Sequence, residues 1–175
     1  MRDESLNEFI PAKQAMERAK EELAMLQSNR DALFESFSGA FIGTPVLVKN
    51  LFKQPSYWLV PISFQGKVIG FARVLGNGRI AQIGTFIRTP AWIMDAPSTI
   101  TGIEASEATK MAIDKIDISL GESGSEPIFV QDGPIGREAW FVEVIKDGRP
   151  TRWLFVTSAG TYERPAGKML TENYF

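Results

Sequence analysis

At 175 residues, 44% hydrophobic and 23% charged, the chain has the composition of one medium or two small globular domains, not of a disordered segment. It contains no cysteine and no histidine, which removes disulfides, thiolate nucleophiles, Cys or His metal sites and every His-based triad. The net charge of −2 is unevenly laid out: residues 1–90 carry an excess of cations, residues 91–175 an excess of anions, and no acid occurs between Glu35 and Asp95.

The N-terminal stretch MRDESLNEF is charged where a secretory signal needs an apolar core, so a cytoplasmic location is the default expectation, and an extracytoplasmic one if a signal has been removed. No apolar run approaches the ~20 residues of a membrane span. From Pro11 onward, Ala15, Ala19, Leu23, Leu26, Arg30, Leu33 and Phe37 step by three or four, which predicts an amphipathic helix closed by Ser38-Gly39. A short strand near Val46, two long strands around the Gln65-Gly66 turn, and a fourth strand after Asn77-Gly78 follow. Residues 89–102 read as a linker whose Trp92, Ile93 and Met94 are too apolar to hang free and are expected to be pinned against one unit or both. A shorter helix comes next, with Ala105, Ala108, Ala112 and Ile116 on one stripe and Thr101 and Glu104 placed for a capping box. Then the strand pattern returns around Asp147-Gly148, with Ala159-Gly160 at the next reversal and a last strand expected to be stunted by Pro165.

This return is a repeat. Residues 45–81 align without a gap on residues 127–163, with identities at Pro45/Pro127, Val48/Val130, Trp58/Trp140, Val60/Val142, Gly66/Gly148, Val74/Val156 and Gly78/Gly160. The expected fold is therefore α+β: two tandem helix-plus-antiparallel-meander units, each sheet packed on its preceding helix. The expected boundaries are 1–88 for the first unit, 89–102 for the linker and 103–175 for the second unit with its C-terminal tail. Trp58 and Trp140 are expected in the two cores.

The stretch AWFVEVIKDGRPTRWLFVTSAGTYER, an apolar strand, an Asp-Gly hairpin, a second strand and a Gly turn following a helix, resembles the PepSY module and the wider cystatin-like group. The first unit carries QGK in place of DGR and has Pro61 in mid-strand. The resemblance covers roughly residues 12–86 and 103–164 as a tandem pair. It implies a binding or peptidase-regulating module, often outside the cytoplasm, with no catalytic residues to carry over.

The residues point the same way without it. GTYERPAGKM has the wrong glycine spacing for a phosphate loop, and GESGSE lacks the final glycine of a nucleophile elbow. Asp114 and Asp117 share a helix face as solvated charges, and Glu143 is placed for a salt bridge to Arg152 across the second hairpin. With a two-residue turn, Trp140, Val142 and Val144 share a face with Trp153 and Phe155; a three-residue loop swaps the partner set. The basic run Lys49, Lys53, Lys67, Arg73, Arg79 and Arg88 suits docking on an acidic segment of the chain or an acidic protein partner, and is too dispersed for a nucleic-acid track. No catalytic residue, metal ligand or cofactor is assigned. The expected function is non-enzymatic binding of a peptide or protein, with Arg152, Trp153 and Phe155 as candidate contacts because the first unit has Gly70, Phe71 and Arg73 there. The alternative is a small apolar-ligand carrier, or an enzyme, with a pocket between a curved sheet and a helix. Oligomeric state is left open.

Overall fold

The computed structural model describes residues 9–167. Among them the chain is α+β, with two α-helices, two short 3-10 segments and ten strands, and no helix long and apolar enough to cross a membrane. The strands belong to one mixed, mostly antiparallel sheet, which corrects the expectation of two separate sheets. Alternation of apolar residues fixes which face of a strand is buried; it carries no mark of which backbone edges are used, and that is why the count of sheets escaped the sequence. The chain divides into two compact units, Met1–Ile100 and Thr101–Phe175.

In the first unit, helix α1 (Ala12–Ser28) precedes strands β1 (Phe41–Ile42), β2 (Val46–Lys49), β3 (Pro55–Phe64), β4 (Lys67–Leu75) and β5 (Ile80–Thr85). Their order is β2-β3-β4-β5, and β1 lies against the far end of β3. Pro61 is tolerated inside β3 because its polar edge faces the break between β1 and β2. Its carbonyl accepts the Gly43 N–H there at 2.9 Å, and no ladder N–H is called for. The α1 stripe Ala15, Ala19 and Leu23 is buried as expected, with Val60, Ala72 and Val74 of the sheet beside Ala15 and Ala19, and Ile62 and Ile69 in the cluster around Leu23.

The helix is shorter than its periodicity suggests. It stops at Ser28, where Arg30 takes a left-handed φ of 53° and the N–H groups of Arg30 and Asp31 bond back to Gln27 and Leu26. Sequence reasoning missed this ending because the left-handed residue is an arginine instead of glycine. The reversal also resets the phase: Phe34 and Phe37 are fully buried, while Leu33 is 42% exposed. The expected linker holds a 3-10 segment, Pro90–Asp95, led by Thr89 as N-cap. Ile93 packs on the unit's core as expected, but Trp92 and Met94 stand 52% and 79% exposed. With a repeat of three residues per turn, only one of three consecutive side chains can face inward.

In the second unit, helix α2 (Ala105–Ile113) precedes β6 (Glu122–Gly124), β7 (Ile128–Gln131), β8 (Glu138–Lys146), β9 (Arg149–Thr157) and β10 (Gly160–Pro165). Their order is β7-β8-β9-β10, with β6 against the far end of β8. The capping box does not form: Glu104 is the N-cap without a side-chain bond, and Thr101 donates instead to the Ile103 carbonyl. Nor is β10 stunted, since Pro165 is its last residue and falls on an edge strand, where a missing N–H costs nothing.

The two units match in detail. Gln65-Gly66 and Asp147-Gly148 have positive φ at both positions, the geometry of a two-residue hairpin turn that follows the twist of its strands. Each hairpin carries a β-bulge at the equivalent place, between Ile62 and Ser63 and between Val144 and Ile145. The extra residue shifts the facing set, so Trp140, Val142 and Val144 stand opposite Val156, Leu154 and Arg152, and not with Trp153 and Phe155. Equivalent residues face each helix: Trp58, Val60, Ala72 and Val74 under α1, and Trp140, Val142, Leu154 and Val156 under α2. Both tryptophans are half-buried at the margin of these cores. Trp58 Nε1 donates to the Ile10 carbonyl at 2.8 Å, and Trp140 Nε1 to the Ile103 carbonyl at 3.0 Å. Ile10 and Ile103 each stand one residue before the N-cap of their helix.

Replacing Trp58 or Trp140 by Phe keeps an aromatic ring, smaller than the indole, and deletes the donor, leaving a part-buried carbonyl unpaired at an expected cost of about 1–3 kcal/mol. Alanine at either position is expected to cost about 3–5 kcal/mol through the added loss of packing. Urea unfolding of the four variants checks both figures, and Phe variants as stable as the parent would remove the hydrogen bond from the account.

Candidate functional site

The first unit holds an open groove of about 510 Å³ between α1 and β1. Its helical wall is Lys13, Met16, Glu17, Lys20, Leu23, Ala24 and Gln27, residues that recur every three or four positions over four turns of one face of α1. The opposite wall is Ala40, Phe41 and Ile42, and the lining is mostly apolar. Phe41 is 57% exposed although it is a large aromatic on a strand. The connection from α1 to β1 keeps the walls apart. Asp31 caps a tight turn by accepting the Leu33 N–H, Phe34 and Phe37 anchor that turn in the core, and Gln27 Nε2 donates to the Phe37 carbonyl at 3.2 Å.

β1 also offers backbone. Phe41 lies opposite Ser63 and Ile42 opposite Ile62, and the Gly43 N–H reaches the Pro61 carbonyl at 2.9 Å. In an antiparallel ladder hydrogen-bonded and non-bonded pairs alternate, so the Ile42 N–H and C=O point away from β3. Among the described residues no strand pairs with that outer edge of β1.

The second unit closes the equivalent place. β6 stands to β8 as β1 stands to β3, with Ser123 opposite Ile145 and Gly124 opposite Val144, so that Gly124 occupies the position of Ile42. Ile116 fills that place: a Cβ on Gly124 would come within 2.7 Å of Ile116 Cδ1, which would have to move aside. Arg152 then ties the segment down, donating to the Lys115 carbonyl at 2.6 Å, to Glu122 at 2.7 Å and to Glu163 at 2.6 Å. The Arg152 hydrogen bond is the main cause that holds the Glu122 pKa below its ordinary value. The Asp117 pKa is lowered too, first by the Ser119 hydroxyl, in a turn where Asp117 also accepts the Ser119 and Leu120 N–H groups.

The three binding candidates therefore do not form one patch. Arg152 is on the helix face and acts as this tie; its partners are Glu122 and Glu163, not the expected Glu143, which stands on the other face opposite Trp153. Trp153 is half-buried, and Phe155 is fully buried, stacked on Tyr162 at 5.1 Å between ring centres. Sequence reasoning offered a pocket between sheet and helix only as its alternative and named none of the residues that wall the α1–β1 groove. The only signal for it, the pair Phe41-Ile42 before Gly43, is too short for periodicity to register.

A second polar centre sits beside Phe155. The Asp132 side chain is fully buried, takes two bonds from Arg164 at 2.6 and 2.9 Å, one from the Tyr162 hydroxyl at 2.6 Å, and has Arg137 at 3.5 Å. This closes the loop from Asp132 to Arg137 onto β10, and every partner is a donor aimed at one carboxylate. Burial, then the hydrogen bond to Asp132, pushes the Tyr162 hydroxyl up to about 12. Comparison with protein-family models, with curated proteins and with solved structures found no match to the chain.

Because the folded Tyr162 pKa lies above the ordinary value near 10, its contribution to stability is intact below about pH 10 and is lost as pH rises toward 12. Urea unfolding at pH 9 and pH 11.5 is expected to show a larger drop for the parent than for Tyr162→Phe; equal drops would mean that the phenol titrates normally. Asp132→Ala, which leaves Arg164 facing an empty site, is expected to cost about 3–5 kcal/mol.

Proposed function

We propose that the protein is a non-enzymatic binding module that takes an extended peptide segment into the α1–β1 groove of its first unit. The observation that carries this reading is the contrast between the repeats. The same helix-and-short-strand framework is open, apolar and edge-exposed in one unit. In the other it is closed by Ile116 and locked by Arg152. A groove with an outward N–H and C=O on one wall and apolar side chains on the other suits a peptide strand, whose backbone extends β1 and whose alternate side chains lie on α1. The tandem helix-plus-meander layout is in keeping with a PepSY or cystatin-like module, and a role in regulating a peptidase is part of the proposal.

The apolar lining and the volume of about 510 Å³ support a second reading, a small apolar ligand held against Met16, Leu23 and Phe41. Isothermal titration separates the two, using a seven-residue peptide of alternating valine and threonine, the same peptide with N-methylated backbone, and dodecanol. The expected result is binding of the first alone, abolished by Ala24→Arg, which fills the groove from an exposed position of α1 without touching the core. Binding of dodecanol alone would give the site to the ligand-carrier reading.

A further inference from the structure

The charges on the groove specify its occupant further, and this step rests on the groove being a peptide site. Lys13, Glu17 and Lys20 are the charged residues of the lining, all exposed on one face of α1. Among the described residues neither lysine is in an ion pair, whereas Arg18 on the neighbouring face is engaged with Glu21 at 3.2 Å. The opposite wall, Ala40, Phe41 and Ile42, carries no charge, and the next acid in the chain after Glu35 is Asp95. Two cations thus stand at separated points along an apolar trough, with one anion between them.

We infer that the groove selects an extended peptide with an aliphatic residue flanked on both sides by acidic residues, in the order acid, any, aliphatic, any, acid. The spacing follows from the two repeats involved. Lys13 and Lys20 are seven residues apart, about 10 Å along a helix rising ~1.5 Å per residue. On a strand, side chains on one face recur every second residue, and four residues span about 13 Å, within the reach of two flexible lysines. The residue midway between the acids then faces Met16, which stands between the two lysines on the helical wall and suits an aliphatic side chain. Glu17 opposes an acid at that central place, so the anion between the lysines sets the pattern by repulsion as the lysines set it by attraction. Charge of this kind at an exposed rim acts through modest pair energies and is screened by salt, which gives the selection a measurable signature.

The test uses acetylated, amidated seven-residue peptides with one valine-rich core, flanked at the two positions by aspartate, by serine or by lysine, and a fourth with a single aspartate moved to the centre. Affinities are measured by titration calorimetry at 20 and 300 mM salt, with the parent and with the surface double variant Lys13→Glu, Lys20→Glu. The parent is expected to bind the aspartate-flanked peptide about tenfold tighter than the serine-flanked one at low salt, the order to contract at high salt, and the double variant to prefer the lysine-flanked peptide. The centred-aspartate peptide is expected to bind more weakly than the serine-flanked one. Equal affinity for all flanks overturns the charge rule and leaves the peptide groove standing. Failure of every peptide to bind the folded parent overturns the groove reading together with the charge rule.

Discussion

A single hydrogen bond, made twice, sets the geometry on which each unit depends. A tryptophan indole at the edge of the core donates to the carbonyl of the residue that leads into the helix, Trp58 to Ile10 and Trp140 to Ile103. In the first unit the Ile10 N–H is held as well, by the Gly76 carbonyl at 2.9 Å. The carbonyl just before a helix begins faces no intrahelical donor, so an outside donor there both satisfies a polar atom and fixes where the helix starts. Once that start is fixed, the stripe Ala15, Ala19 and Leu23 and its counterpart Ala108, Ala112 and Ile116 come down on equivalent strand residues. Small residues at the first two places let the helix backbone lie close to the sheet, and the larger third residue fills the space where helix and sheet diverge.

That third residue is where the units part. In the first, α1 continues past Leu23 to Ser28, and a further run anchored by Phe34 and Phe37 separates it from β1. In the second, α2 ends at Ile113, before the equivalent residue, so Ile116 reaches its place from a turn and lies directly on Gly124. A longer helix with a longer return produces a trough; a short helix with a short return produces contact. Arg152 then reinforces the closed form with three acceptors, where the first unit has Gly70, whose added Cβ would lie 2.3 Å from the Gly84 carbonyl oxygen. The place that is an open trough in one repeat is thus occupied by Ile116 and tied by Arg152 in the other, although the strands beneath are nearly the same.

The polar centre at Asp132 shows a different use of the same scaffold. A fully buried carboxylate with Arg164 and Tyr162 as partners is costly unless every donor is in place. Here the donors come from β10 and the carboxylate from the loop after β7, so the loop is held only when the strand order is complete. Stacking of Tyr162 on Phe155 links this centre to the apolar face, where Phe155, a candidate contact in the sequence, is fully buried.

Much of this architecture was written in local pattern. Hairpin glycines need positive φ, helix stripes need a period near 3.6, and strand faces need alternation, so the turns at Gly66 and Gly148, the positions of both helices and the correspondence of β3, β4 with β8, β9 were legible in the chain. What local pattern does not encode is where regular structure is interrupted and which edges meet. The left-handed turn at Arg30 is made by a residue that carries no turn signal, and the matched bulges move the facing set of each hairpin by one residue. Whether the strands make one sheet or two is a matter of backbone edges, which no side chain announces. The groove itself is an absence of contact between α1 and β1, created by the length of the return between them, and only the tertiary structure shows which residues stand apart. Sequence determined the elements and their repetition because those are set by each residue and its near neighbours; the structure decided the site because an unfilled space is a property of distant parts of the chain.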